Sequence, residues 1–182
     1  IDLRIEDPTD PVETGYDFNI KDDCIINLYG NYNSGTLFTI MSDNIDVTIN
    51  SYANISAGYV YQYEKDTSHQ DTSKVTFNNC NSQEINAEIV VGKNDVVDLK
   101  GADITKAGSD ALNVYGTYTM ESGTITGRVA LKNGAVFTME DGKINGDISG
   151  NAGSKFVMNG GTVNGAVGHV GNIEINNGSI SN

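Results

Sequence analysis

One phrase recurs through the last third of the chain at nearly constant spacing. Each copy carries an apolar residue, a Met or Ile two positions later, and then a corner rich in Gly and Asn. The copies read GTYTMESGTITG at 116–127, GAVFTMEDGKING at 134–146, GSKFVMNGGTVNG at 153–165 and GNIEINNGSISN at 171–182. A period that keeps apolar identity while polar residues vary is typical of the stacked coils of a solenoid.

Weaker copies of the same pattern extend towards the N-terminus. Apolar residues two positions apart lie on one face of a strand, so we expect both columns of the phrase to point into the coil. The column predicted at the Met position consists of Leu28, Ile49, Phe77, Leu99, Met120, Met139, Met158 and Ile175. The sequence therefore predicts an all-β fold, a right-handed parallel β-helix (solenoid) of about eight rungs over residues 24–182.

The residue two places after this column supports the same register. It is Gly, Asn, Asp or Ser in every copy, the residue types that accept a left-handed backbone or bind their own main chain at a turn. These corner residues are Gly30, Ser51, Asn79, Gly101, Ser122, Asp141, Gly160 and Asn177. We expect a sharp corner after each strand.

Charge and hydropathy exclude several classes of partner. The chain has 24 acidic and 11 basic residues, a net charge of −13, which opposes binding to nucleic acid or to anionic lipid. No run of 18 apolar residues is present, so we expect no membrane insertion. Cys24 and Cys80 fall in different columns about two rungs apart, which favours free thiols over a disulfide.

The two ends of the chain differ from the repeats. Residues 1–23 hold both prolines and eight acidic residues, and we interpret them as an N-terminal cap that covers the open end of the solenoid. The acidic stretch DPTDPVETGYD can alternatively bind Ca²⁺, although it lacks the ligand spacing of the known Ca²⁺ loop. At the C-terminus the chain stops after a full rung, so we expect this end to continue or to contact a further domain or chain.

One coil is longer than the others and carries an insertion at about 56–74. Tyr59, Tyr61 and Tyr63 alternate within it, and His69 follows. Alternation places the three tyrosines on one face, where they either pack on the outer wall or form a platform that stacks on sugar rings. Tyr59, Tyr61, Tyr63 and His69 are therefore the predicted ligand-binding residues.

The phrases FTMEDGKING and YTMESGTITG resemble the TFTMxGGTIxGN repeat of bacterial surface proteins that are expected to form right-handed parallel β-helices. The resemblance implies a location outside the cell, at the surface or secreted, and a role in adhesion or contact with polysaccharide or host glycans. More loosely, GSDALNVYG at 108–116 is similar to a rung motif of the pectate-lyase-like superfamily, which contains polysaccharide lyases and hydrolases.

An enzyme of that superfamily needs a group of acidic residues with a base or a second carboxylate. Asp103 and Asp110, with Asp98, are the best candidates for a catalytic set. His69 and His169 lie about six rungs apart and cannot share a site, and no metal cluster or catalytic triad is recognisable. We therefore expect a non-catalytic binding or adhesion module without a cofactor, with a polysaccharide lyase or hydrolase, or a purely structural stalk, as alternatives.

Overall fold

The computed structural model describes residues 1–4, 17–63 and 73–182, and the regular structure in these ranges consists of β-strands. The strands, numbered in chain order, are β1 Asp2–Arg4, β2 Phe18–Ile20, β3 Cys24–Ile40, β4 Asp46–Tyr63, β5 Lys74–Asn79, β6 Ile85–Val91, β7 Val96–Asp98, β8 Asp103–Val114, β9 Thr117–Met120, β10 Thr124–Leu131, β11 Val136–Met139, β12 Lys143–Asn145, β13 Ile148–Gly150, β14 Lys155–Met158, β15 Thr162–Asn164, β16 Val167–Gly168, β17 Asn172–Ile175 and β18 Ser179–Ser181.

The strands stack as a parallel β-solenoid of about eight turns, which confirms the predicted fold class. Each ladder joins strands of neighbouring coils, as in the series β4, β6, β8, β10, β12, β15 and β18. A second, four-stranded sheet runs from β9 through β11 and β14 to β17. Inward-facing Leu, Ile, Val, Phe and Met side chains fill one continuous core along the stack.

The C-terminal coils follow the predicted register. Met120, Met139, Met158 and Ile175 pair in sequence along the second sheet. Phe137 stacks on the rings of the coils before and after it, with centroid distances of 5.7 and 5.5 Å. Nearly equal coil lengths keep similar apolar side chains in contact, and this is why the phrase is well preserved here.

The N-terminal coils depart from the predicted register by two residues at two places. Ile49 pairs with Ile26, and not with Leu28 as the column predicted. Phe77 pairs with Val97, two residues before the predicted partner. A shift of two leaves every side chain on the same face of its strand, so the inward pattern is kept and the pattern of apolar residues cannot detect the shift.

The predicted corners are confirmed in part. Gly30 and Gly101 have positive φ, and in the last four coils the following residue, always Gly, has it. Ser51 is different, because it lies buried inside the long strand β4. Asn79 is buried too, and its side-chain amide binds the main chain of Gln83 through both its nitrogen and its oxygen. Asn79 thus stabilises its corner through main-chain hydrogen bonds.

The described parts of the N-terminal segment join the stack. Strands β1 and β2 both pair in parallel with β3. Residues 5–16, with both prolines and most of the proposed Ca²⁺ loop, lie outside the described residues. The role of 1–23 as a cap therefore stays a prediction. Cys24 and Cys80 are free thiols, as expected.

The first part of the predicted insertion, residues 56–63, is regular strand. Residues 56–63 remain in the wall of the solenoid as the end of β4, paired with β3 up to Tyr63. Residues 64–72, which include His69, lie outside the described residues.

At the other end of the stack, β17 and β18 are exposed along their whole length, and Ile175 is 52% exposed.

Candidate functional site

Polar side chains from four adjacent strands meet on the outer wall of the solenoid. Tyr59 of β4 lies opposite Glu88 of β6, and Asp110 of β8 lies opposite Arg128 of β10. Asn113, also on β8, completes the group, which we call the outer-wall cluster. The three strand pairs that form this part of the wall, β4–β6, β6–β8 and β8–β10, each contain a register shift. In the pair β4–β6 the shift lies between Ser56 and Tyr59. Bulges of this kind redirect side chains and are frequent beside functional sites.

A single amide nitrogen connects the two carboxylates of the outer-wall cluster. Asn113 Nδ2 donates to Glu88 Oε1 at 2.5 Å and to Asp110 Oδ2 at 3.2 Å. Arg128 Nε donates to the other oxygen of Asp110. Charged partners make these hydrogen bonds stronger than bonds between neutral groups, so the carboxylates are held in defined positions.

The oxygen of the same amide is left without a partner. Asn113 is only 6% exposed, and its Oδ1 makes no hydrogen bond with the residues that the structure describes. A buried acceptor without a donor costs about 1–3 kcal/mol. The outer-wall cluster therefore has an unused acceptor next to two carboxylates. This atom is closed to solvent in the unbound chain, so a ligand relieves the cost only if it displaces the groups that cover the atom and donates a hydrogen bond to it.

The pKa values of Glu88 and Tyr59 are raised in this cluster. Burial raises the pKa of Glu88 and the charge of Asp110 adds to the rise, while the bond from Asn113 and two lysines oppose it. The negative charge of Glu88 is the main cause that raises the pKa of Tyr59. Titratable groups perturbed in this way are concentrated at functional sites.

Two of the predicted ligand-binding tyrosines are not part of this surface. Tyr61 is fully buried and Tyr63 nearly so, and their hydroxyls donate to Asp95 at 2.9 and 2.5 Å. Asp95 also accepts from the main-chain N–H groups of Val75 and Gly92. The predicted exposed platform is therefore wrong for Tyr61 and Tyr63, because both rings point into the core, where they bind a buried carboxylate.

The predicted catalytic residues are not brought together. Asp98 lies on β7, where it forms an ion pair with Lys100 at 3.5 Å, and Asp103 is exposed at the start of β8 opposite Thr124. Only Asp110 belongs to the outer-wall cluster. The sequence did contain a signal for this site, since the segment GSDALNVYG holds both Asp110 and Asn113.

Glu88 was missed by the sequence analysis, since nothing in its neighbourhood marks it. Among the described residues, no three or more His, Cys, Asp or Glu side chains are grouped to hold a metal ion. Within the same ranges, no helix is long and apolar enough to cross a membrane. Comparison with protein families, with characterised proteins and with solved structures finds no match to this chain.

Proposed function

We propose that this chain is a non-catalytic carbohydrate-binding module of an extracellular bacterial surface protein, and that the outer-wall cluster contacts the glycan. The observation that carries the proposal is the unpartnered Oδ1 of buried Asn113, beside the carboxylates of Glu88 and Asp110. Sugar hydroxyls donate and accept hydrogen bonds, and carboxylate, amide and guanidinium groups in a fixed arrangement match them.

Two further features support a sugar as the ligand. Tyr59 is half-buried beside Glu88 and offers an aromatic ring with a polar tip at the edge of the cluster. Positive and negative groups are also balanced here, because Arg128 binds Asp110 while Lys106 and Lys132 lie close enough to affect the pKa of Glu88. A balanced polar surface suits an uncharged polyhydroxyl ligand. The likeness of the repeat to that of bacterial surface proteins supports a location outside the cell.

A glycan panel tests the proposal. The wild-type chain is expected to bind at least one polysaccharide, with affinity reduced about tenfold or more in Glu88→Gln and in Tyr59→Ala, since each loses a contact that orients the ligand. Tyr52→Ala is the matched control, because Tyr52 is an exposed tyrosine of the same strand that stacks on Tyr29, away from the cluster. Binding that Tyr52→Ala weakens equally would contradict the site, and a panel without any hit would favour the structural stalk.

A polysaccharide hydrolase or lyase is the second candidate, favoured by one observation. The pKa of Glu88 is raised, and the carboxyl groups of Glu88 and Asp110 accept hydrogen bonds from the same amide nitrogen of Asn113. An acid with a raised pKa beside a second carboxyl group is the arrangement of a general acid and its partner. Release of reducing or unsaturated sugar that Asp110→Asn abolishes would establish this alternative.

A further inference from the structure

The wall of the solenoid is interrupted between β7 and β9. Strands β7 and β9 belong to consecutive coils, yet among the described strands β7 pairs only with β5 and β9 pairs only with β11. The two sheets of the fold are separate because of this interruption. The facing edges of β7 and β9 therefore carry main-chain N–H and C=O groups that no neighbouring strand pairs.

The coils remain in contact at both ends of this interruption. On one side, the N–H of Tyr115 donates to the carbonyl of Val91 at 2.8 Å. On the other, a Cβ on Gly101 would lie 2.5 Å from the Oγ of Ser122. The strands thus separate only in the middle, so an extended chain cannot pass between them, but a compact group can enter from outside.

A cavity of about 660 Å³ occupies this opening, which we call the wall cleft. Its walls combine the hydroxyl groups of Thr117, Thr119 and Ser122 with the side chain of Val96, which is 48% exposed. Hydroxyls and unpaired main-chain edges around an apolar surface match a sugar ring, which has an apolar face and a polar rim.

The charges of the wall cleft are unbalanced. Asp98 and Glu121 line it together with one basic residue, Lys100, while the third acid of the lining, Asp95, is buried and bound by Tyr61 and Tyr63. Lys100 is held by Asp98 at 3.5 Å, whereas Glu121 makes no hydrogen bond or ion pair within the described part of the chain. With a chain charge of −13, this lining attracts a cationic group and repels a carboxylate.

We propose that the wall cleft is a second binding site, distinct from the outer-wall cluster, which takes one ring of an amine-bearing sugar. The ring lies against Val96, and its hydroxyls bind the threonines and the open strand edges. Its ammonium group binds Glu121. This inference does not depend on the outer-wall cluster, because no residue is shared between the two sites.

Calorimetric titration with three oligosaccharides of matched length tests the proposal: glucosamine oligomers, N-acetylglucosamine oligomers and galacturonic acid oligomers. The glucosamine oligomers are expected to bind most tightly, and to bind more weakly as salt is raised. Glu121→Gln is expected to reduce this affinity about tenfold, since it removes the charge that meets the ammonium group. The folding of every variant in this test is checked by its melting temperature.

Glu140→Gln is the matched control, because Glu140 occupies the equivalent position one coil further on and lies outside the wall cleft, bound to Asn159. Equal loss in Glu140→Gln would overturn the proposal, as would equal binding of the acetylated oligomer or no binding of the amine. Binding that Glu88→Gln abolishes and Glu121→Gln leaves intact would assign the amine sugar to the outer-wall cluster and also overturn it. If glycan binding fails at the outer-wall cluster alone, the proposed function is refuted and the wall-cleft proposal is unaffected.

Discussion

Replacement of Asp95 by Ala tests how the core of this solenoid is held together. The carboxylate of Asp95 accepts four hydrogen bonds at 2.5–2.9 Å, from Tyr61, Tyr63 and the main-chain N–H groups of Val75 and Gly92. In the Ala variant all four donors lose their acceptor in a buried environment. A buried donor left without its acceptor costs about 1–3 kcal/mol, and the removal of a buried carboxylate offsets part of the sum for the four donors, so we expect a net cost of about 3–5 kcal/mol.

That loss is measurable in a thermal melt followed by circular dichroism. For a chain of this size, about 1 kcal/mol shifts the melting temperature by roughly 2–4 °C, so we expect a decrease of about 6–20 °C. Tyr61→Phe removes a single donor and should cost only about 1 kcal/mol. Asp98→Ala is the control, since Asp98 is an exposed acid paired with Lys100 at 3.5 Å, worth at most about 1 kcal/mol. A melting temperature in Asp95→Ala no lower than in this control would refute the reasoning.

The pH dependence of the same variant gives a second, independent result. Burial is the main cause that raises the pKa of Asp95 above its ordinary 3.8, against the lowering effect of its hydrogen bonds. The folded state then holds the proton more tightly than the unfolded state, so this group makes the protein less stable as pH rises from about 4 through its folded pKa. The stability advantage of wild type over Asp95→Ala should therefore shrink as pH rises in this window. An advantage that grows instead would mean that the hydrogen bonds outweigh burial.

Other substitutions probe the repeat and the outer-wall cluster. Met139→Ala should cost about 2–5 kcal/mol by leaving a cavity between coils, whereas Thr138→Ala, whose side chain faces outward, should cost little in the same denaturant titration. Gly142→Ala should lower the melting temperature more than Gly134→Ala: both glycines have positive φ, but only at Gly142 would a Cβ meet a carbonyl of the preceding coil, at 2.7 Å. Because the pKa of Glu88 is raised in the folded state, this group lowers the stability of the protein as pH rises through that pKa. Glu88→Gln should remove this pH-dependent loss, and a pH profile of stability equal to that of wild type would contradict the raised pKa.

The regular half of the fold could be predicted in detail from the sequence. Between Met120 and Ile175 each coil has nearly the same length, so sequence spacing equals spatial register and the predicted pairs are confirmed. In the N-terminal half, coil lengths vary, and Ile49 pairs with Ile26 and not with Leu28. Side chains two residues apart share a face, so an apolar column is compatible with either pairing.

The tyrosines show the same limit for the candidate site. Alternation indicated a common face for Tyr59, Tyr61 and Tyr63, but it cannot distinguish an inner face from an outer one. The structure buries Tyr61 and Tyr63 because Asp95, more than 30 residues later in the chain, provides acceptors inside the core. Of the three, only Tyr59 lies at the outer-wall cluster, opposite Glu88 and directly after the register shift that follows Ser56.

The sequence by itself determined the architecture: alternating apolar residues with Gly, Asn, Asp or Ser at the corners can bury their side chains only by stacking coils. Tertiary structure alone decided where the polar groups meet. Glu88, Asn113, Asp110 and Arg128 come from three different strands, and bulges of those strands set their distances. The wall cleft likewise exists only because β7 and β9 fail to pair. The outer-wall cluster and the wall cleft both depend on the number of residues in each coil. That property of the stacked coils cannot be predicted from a local pattern of residues.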